Sequence, residues 1–370
     1  MALQGSQKLP FWADAVLLPF LNLLAAFAVS GLVILLLGED PLEALSIMFE
    51  GAFGYDEAIG YTFYYATNFI FTGLAVAVAF HAGQFNIGGE GQAMIGGVGL
   101  TLAVFAFGTT APLLAVLLAV AGAAVFGAVW AYVPAYLQAK RGSHIVITTI
   151  MFNFIASAVL AYLLVGPLQR PGGQMPESAD FPDGVRLTHL HEILNTVGIG
   201  FEESPMNVSL LIALICAFGV WFLLYRTRFG YELRVSGANQ NTAAFAGINV
   251  PRMTIYAMML SGALAGMMGL NELLGEQLRL LGNFTLGYGF VGIAVAFMGR
   301  NHPVGIVLAA VLFGALYQGG AELAFEMPAI SRDLIVLVQG LVILFAGAME
   351  HMFRTPVERF FHMLSIKRAD

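Results

Sequence analysis

The residues best placed to do chemistry in this sequence are amides and one carboxylate set among glycines. They run His81-Ala82-Gly83-Gln84-Phe85-Asn86-Ile87-Gly88-Gly89-Glu90-Gly91-Gln92. Asn86 and Gln92, with Asn153 further along, can both donate and accept hydrogen bonds, and Phe85 or Phe152 offers a ring face for stacking. Such groups suit holding a small polar solute, although Asn153 could instead simply bond a neighbouring helix. An enzyme would instead need a nucleophile–base pair or a metal cluster, and the histidines show no ligand spacing inside an apolar run. His189 and His191 stand with Glu192 in a polar loop, which could hold zinc, although plain hydration is the ordinary reading.

Four glycines in this stretch, each costing about 1 kcal/mol against alanine inside a helix, predict a break. A charged Glu at membrane depth costs at least ~2.5 kcal/mol. Glu90 is therefore expected at the N-terminal end of the following helix, where it offsets free N–H groups and the positive dipole end. The break is either a capped turn at the membrane surface or non-helical backbone lining a polar pathway, where such backbone is tolerated. Phe284-Thr285-Leu286-Gly287-Tyr288-Gly289 echoes Phe85 to Glu90, and each copy precedes a glycine-rich apolar run. Weak similarity in opposed orientations is the mark of inverted repeats that build a pathway at their interface. The candidate pathway residues are thus Phe85, Asn86, Glu90, Gln92, Asn153, Gly287 and Gly289.

A second stretch, Arg226 to Arg252, is polar and net basic between two apolar halves, with Arg226, Arg228, Arg234 and Arg252 against the single Glu232. Gly237 is expected to break what precedes it. Asn239 or Asn241 can cap a short helix through Thr242, Ala243, Ala244, Phe245 and Ala246, and Gly247 can close it. Asn249 with Pro251 starts the next helix. A helix of one or two turns has no core of its own, so it packs on its own domain, on headgroups, or into a groove on another protein.

The elements that carry these stretches are membrane helices. Of the 370 residues 59% are hydrophobic and 11% charged, and mean hydropathy is +0.81. The apolar runs approach the ~20 residues that cross a bilayer as helix, and they do not alternate as barrel strands would. The fold class is all-α and polytopic, with ten spans: Ala15–Leu37, Tyr61–Phe80, Glu90–Phe107, Leu113–Leu137, Ile145–Val165, Val208–Tyr225, Met253–Leu274, Leu286–Met298, Val304–Gln318 and Leu334–Ala348. With both termini cytoplasmic, 12 of the 16 Lys and Arg fall inside, the asymmetry expected of inner loops. The outer segments, residues 38–60 and 166–205, are acidic. Residues 190–197 could form a short helix there. Val357, Phe360, Phe361 and Leu364 space out an interfacial helix in the tail, residues 349–370. A net charge of −7 argues against nucleic acid, and the lone Cys216 excludes an internal disulfide. An ion-coupled transporter would want ionisable groups within its spans, and apart from Glu90 the interiors read as nearly bare.

FNIGGEGQ (85–92), RGSHIVITTIMFNFIA (141–156), GYELRVSGANQNTAAFAGI (230–248), SGALAGMMG (261–269) and GYGFVGIAVAFMGRNHPVGI (287–306) together resemble the permease subunits of bacterial ABC importers. The branch is the branched-chain amino acid/simple-sugar superfamily, nearest its nucleoside type. The resemblance implies one permease domain over residues 1–370, with repeats at 61–165 and 253–348. It implies a coupling segment at 226–252, where Glu232, Arg234, Gly237, Asn239, Ala243, Ala244, Phe245 and Gly247 meet cytoplasmic ATP-binding subunits. It further implies a second, paralogous permease chain, an external substrate-binding lipoprotein and the inner membrane as location. No G-x-x-x-x-G-K-[ST] loop is present, so no cofactor is expected on this chain, and ATP with Mg belongs to the partner ATPase.

Overall fold

Apolar runs of this length satisfy their backbone polar groups internally only as helices or closed barrels, and the computed structural model holds helices. It describes residues 10, 13, 17–330, 332–345 and 354–358. In order these are α1 Leu18–Leu36, α2 Pro41–Phe53, α3 Asp56–His81, α4 Gly89–Phe107, α5 Pro112–Arg141, α6 Ile145–Val165 and α7 Leu190–Thr196. Then follow α8 Ser209–Arg226, α9 Arg228–Ala238, α10 Gln240–Phe245, α11 Val250–Met267, a π-helical stretch Leu270–Gln277, α12 Tyr288–Met298, α13 Pro303–Glu326 and α14 Arg332–Ile343. No β-strand occurs among the described residues.

The count of ten full spans is not confirmed. Among the described residues seven helices are long and apolar enough to cross a bilayer: α3, α4, α5, α6, α8, α11 with its π-helical continuation, and α13. The pair α1 and α2, bent by 118°, would make an eighth. The 11 residues of α12 give about 16 Å of helix, half of the roughly 30 Å hydrocarbon core. Helix α2 stands within what reads as an acidic loop; Asp40 accepts the Leu42 N–H at 2.8 Å and Pro41 opens the first turn. The tail residues Phe360, Phe361 and Leu364, and the span end at Ala348, lie outside the described residues.

Two compact units divide the chain, residues 52–318 and residues 1–51 with 319–370. In the larger unit α4 lies against α5 and α11 along a seam of small residues. A Cβ on Gly96 would stand 2.4 Å from the Gly266 Cα, and one on Gly127 2.2 Å from the Gly262 carbonyl oxygen. Membrane helices associate through such close backbone approach rather than through hydrophobicity. Helix α3 packs on α12, α11 and α8. The loop between α6 and α8 is structured. Phe181, Val185 and Leu187 are buried, and the Phe181 and Leu187 N–H groups donate to the Leu278 and Leu274 carbonyls at 2.7 and 2.8 Å. In the smaller unit α1 lies on α14.

Candidate translocation site and coupling segment

Helix α3 stops at His81, and Gly83 in the left-handed region (φ 71°) turns the chain into a non-helical segment before α4 begins at Gly89. The segment is buried, not a solvated turn: Gln84, Asn86, Glu90 and Gln92 are each at most 5% exposed. Asn86 organises it. Its amide NH₂ donates to the Gln92 Oε1 at 2.9 Å and to Ser261 Oγ at 2.8 Å, while its Oδ1 accepts the Gly88 N–H at 2.8 Å. Asn153 clamps the far side, accepting from the Gly91 N–H and donating to the Ile87 carbonyl, both at 2.9 Å. These three amides tie the broken backbone together in this conformation. Phe85 rests on Phe297, ring centroids 5.9 Å apart, and Phe152 on Trp130 at 5.3 Å.

The two echoed motifs meet. Glu90, in the first turn of α4 as expected, accepts the Gly287 N–H at 3.0 Å and the Gly289 N–H at 2.9 Å. One buried carboxylate in the first turn of α4 therefore answers two free N–H groups at the start of α12. Only glycine fits opposite it, because a Cβ on Gly289 would stand 2.4 Å from the Glu90 nitrogen. Leu286 (φ 45°) and Gly287 (φ 80°) both take left-handed backbone to enter α12. For leucine this costs roughly 1–2 kcal/mol, strain of a kind that gathers at functional sites. Beside them the Thr285 hydroxyl is buried without a hydrogen-bond partner.

Two groups of residues escaped the sequence reading. The first surrounds the π-helical stretch. Asn271 donates to the Tyr64 carbonyl and to Asn68 Oδ1, and accepts from Asn207 and Ser209, all at 2.9 Å. Asn68 also donates to Glu272 Oε1 at 2.6 Å. Glu272 is 3% exposed, so the spans are not as bare of carboxylates as they read. The signal was present in the polar pair Asn271-Glu272 inside an apolar run. The second group is aromatic: Tyr65, Phe69, Tyr288 and Tyr317 come from three helices with centroids 5.0–6.4 Å apart. Its members are distant in sequence, and only the fold joins them.

In the coupling segment the local chemistry reads through. Asn239 is the N-cap of α10, its side chain accepting the Thr242 N–H at 3.0 Å, and Gly247 (φ 79°) follows the last turn. Asn249 caps α11 through the Arg252 N–H at 3.1 Å. Ala243 faces inward, Ala244 is exposed, and the Phe245 ring is 95% exposed. Helix α9 ends at Ala238, one residue past Gly237. The missing side chain of Gly237 also serves contact: a Cβ there would meet the His81 carbonyl at 2.2 Å and the Gly83 nitrogen at 2.7 Å. The base of the arm thus presses on the residues where α3 breaks. On α9, Glu232 pairs with Arg228 at 2.8 Å, and the Arg234 guanidinium lies 5.2 Å from the Tyr225 ring centroid.

Membrane-length helices, a buried polar break at paired glycine-rich turns and an exposed polar arm define the membrane-spanning part of a transport machine. The chain belongs to the family described as branched-chain amino acid transport system / permease component, whose model matches residues 58–347. It is 35% identical to a glucose ABC transporter permease protein of Haloferax volcanii, covering 96% of this chain and 93% of that one. It is 34% identical to a guanosine ABC transporter permease protein of Bacillus subtilis (90% and 93%), and 30% identical to a nucleoside ABC transporter permease protein of Lactococcus lactis (89% and 90%). No solved structure matches the chain. It is an ABC transporter permease subunit, a multi-pass membrane protein without an ATPase site of its own, and it works within a system that includes ATPase and binding-protein partners.

Proposed function

We propose that this permease imports a nucleoside handed over by an external lipoprotein receptor. In this reading the ATP-binding subunits, which carry ATP and Mg, grip α10, and a paralogous chain completes the permease pair. Both termini are cytoplasmic, and residues 61–165 and 253–348 act as inverted repeats. The carrying observation is a fully exposed Phe245 on a capped helix whose arm abuts, through Gly237, the backbone break at His81–Gly83. Movement of α10 would pass along α9 into the Asn86–Gln92 network and the Glu90 bridge, so changing which side the break opens to. The solute class is supported by the relatives named for guanosine and nucleosides. Tyr65 and Tyr317, both half-buried, offer the flat faces on which a base stacks, and Thr285 offers a buried hydroxyl. A sugar is the second reading, favoured by the relative named for glucose. Uptake of labelled guanosine and of labelled glucose into proteoliposomes holding the complete transporter and internal ATP tests it. Guanosine accumulation is expected; accumulation of glucose alone would overturn the nucleoside assignment.

A further inference from the structure

We propose that the loop between α6 and α8 carries a site for a divalent transition-metal ion, formed by His189, His191 and Glu192. One ligand atom from each residue lies within 4.8 Å of the other two. His189 has extended backbone ahead of α7, and its ring stacks on that of His191, centroids 5.3 Å apart and planes 12° apart. His189 Nε2 stands 2.9 Å from the Gly275 carbonyl oxygen, which fixes the ring proton there. Its Nδ1 then turns a lone pair toward Glu192 Oε1 at 3.4 Å. A metal ion placed there would take the Nδ1 lone pair and share Glu192 Oε1 with Arg186.

The surrounding contacts are those a metal centre uses. A ligating histidine characteristically gives its other N–H to a carbonyl or carboxylate. His189 does so to Gly275, with Glu276 Oε2 a further 4.0 Å from the same nitrogen. His191 Nδ1 lies 3.1 Å from the Ser204 carbonyl oxygen and 3.2 Å from the Ser204 N–H. Ligation through Nε2 requires the form in which Nδ1 donates to the carbonyl, in place of the form in which it accepts the Ser204 N–H. Arg186 holds both Glu192 oxygens at 2.9 Å, fixing the carboxylate's direction. Metal–ligand bonds of 2.0–2.2 Å place tetrahedral ligand atoms about 3.4 Å apart. The His189–Glu192 pair already has that spacing, and the His191 ring, nearly parallel to that of His189, must turn to bring its nitrogen to the same ion. Two imidazoles and one carboxylate suit zinc, nickel or cobalt over calcium or magnesium. The ion would join α7 to Ser204 and to the end of the π-helical stretch.

The test uses the full chain in nanodiscs, stripped with chelator and titrated with Zn²⁺ by calorimetry and with Co²⁺ by visible absorption. One saturable ion per chain is expected, with the bands of a tetrahedral centre. His189→Ala and His191→Ala should each weaken binding at least about tenfold, since losing even supporting partners costs 10–100-fold. His144→Ala, remote from the cluster, should bind as the parent does. Because His189→Ala removes the Gly275 contact as well, His191→Gln is the second variant. Whatever its midpoint without metal, zinc should leave that midpoint unchanged while raising that of the parent. Absence of saturable binding in the parent, or unchanged affinity in both histidine variants, would overturn the site.

Discussion

Replacing Glu90 perturbs the point where the first turn of α4 supplies the acceptor for the start of α12. The carboxylate is 5% exposed and receives two backbone N–H groups at 2.9 and 3.0 Å. Hydrogen bonds to a charged group contribute about 1.5–3 kcal/mol each, and an abandoned buried donor costs about 1–3 kcal/mol. Glu90→Gln keeps the volume and one acceptor oxygen, but turns an NH₂ group toward the other N–H. We expect a loss of about 2–3 kcal/mol, from one abandoned donor and the lost charge. Glu90→Ala abandons both donors, and a loss of about 3–5 kcal/mol follows from the same values. The assay is reversible unfolding in mixed detergent–SDS micelles, followed by circular dichroism. The ordering, Ala worse than Gln worse than parent, is as diagnostic as the magnitudes. If both variants unfold within about 0.5 kcal/mol of the parent, the range of ordinary surface changes, the carboxylate does not bridge α4 and α12.

Three further outcomes follow from named contacts. Phe245→Ala should leave unfolding within about 0.5 kcal/mol of the parent, because the ring is 95% exposed, yet cut ATP-driven uptake in proteoliposomes at least tenfold. Gly266→Val should prevent recovery of folded protein, since a Cβ there would stand 2.3 Å from the Ala123 carbonyl oxygen, whereas Gly219→Ala, with nothing within 4 Å, should express normally. Asn271→Leu removes one partner from each of four contacts, and thermal melting should register a loss of several kcal/mol from stranded buried polar groups.

How much was legible depended on whether the cause was local. Asn239 and Asn249 cap helices through N–H groups three residues on, so their roles could be read from the sequence beside them. The end of α9 beside Gly237 was legible, but the contact of Gly237 with the distant backbone of His81 and Gly83 was not. Glu90 was placed correctly at a helix start, but its second helix, α12, came from the far half of the chain. The short α12 and the helix α2 blurred the span count: one is apolar but too short to cross, the other acidic enough to pass for a loop. The aromatic cluster needed the fold, because its members meet only when α3, α12 and α13 do; the Asn271-Glu272 pair stood in the sequence, but its partners on α3 and α8 did not.

The grip on α10 is tested most directly by a photo-activated cross-linker in place of Phe245, illuminated in membranes that hold the complete transporter. The expected product is a covalent adduct with an ATP-hydrolysing subunit, diminished by the neighbouring change Ala244→Arg. Adducts only with lipid or with the chain itself, in transporter shown to be active before illumination, would contradict it.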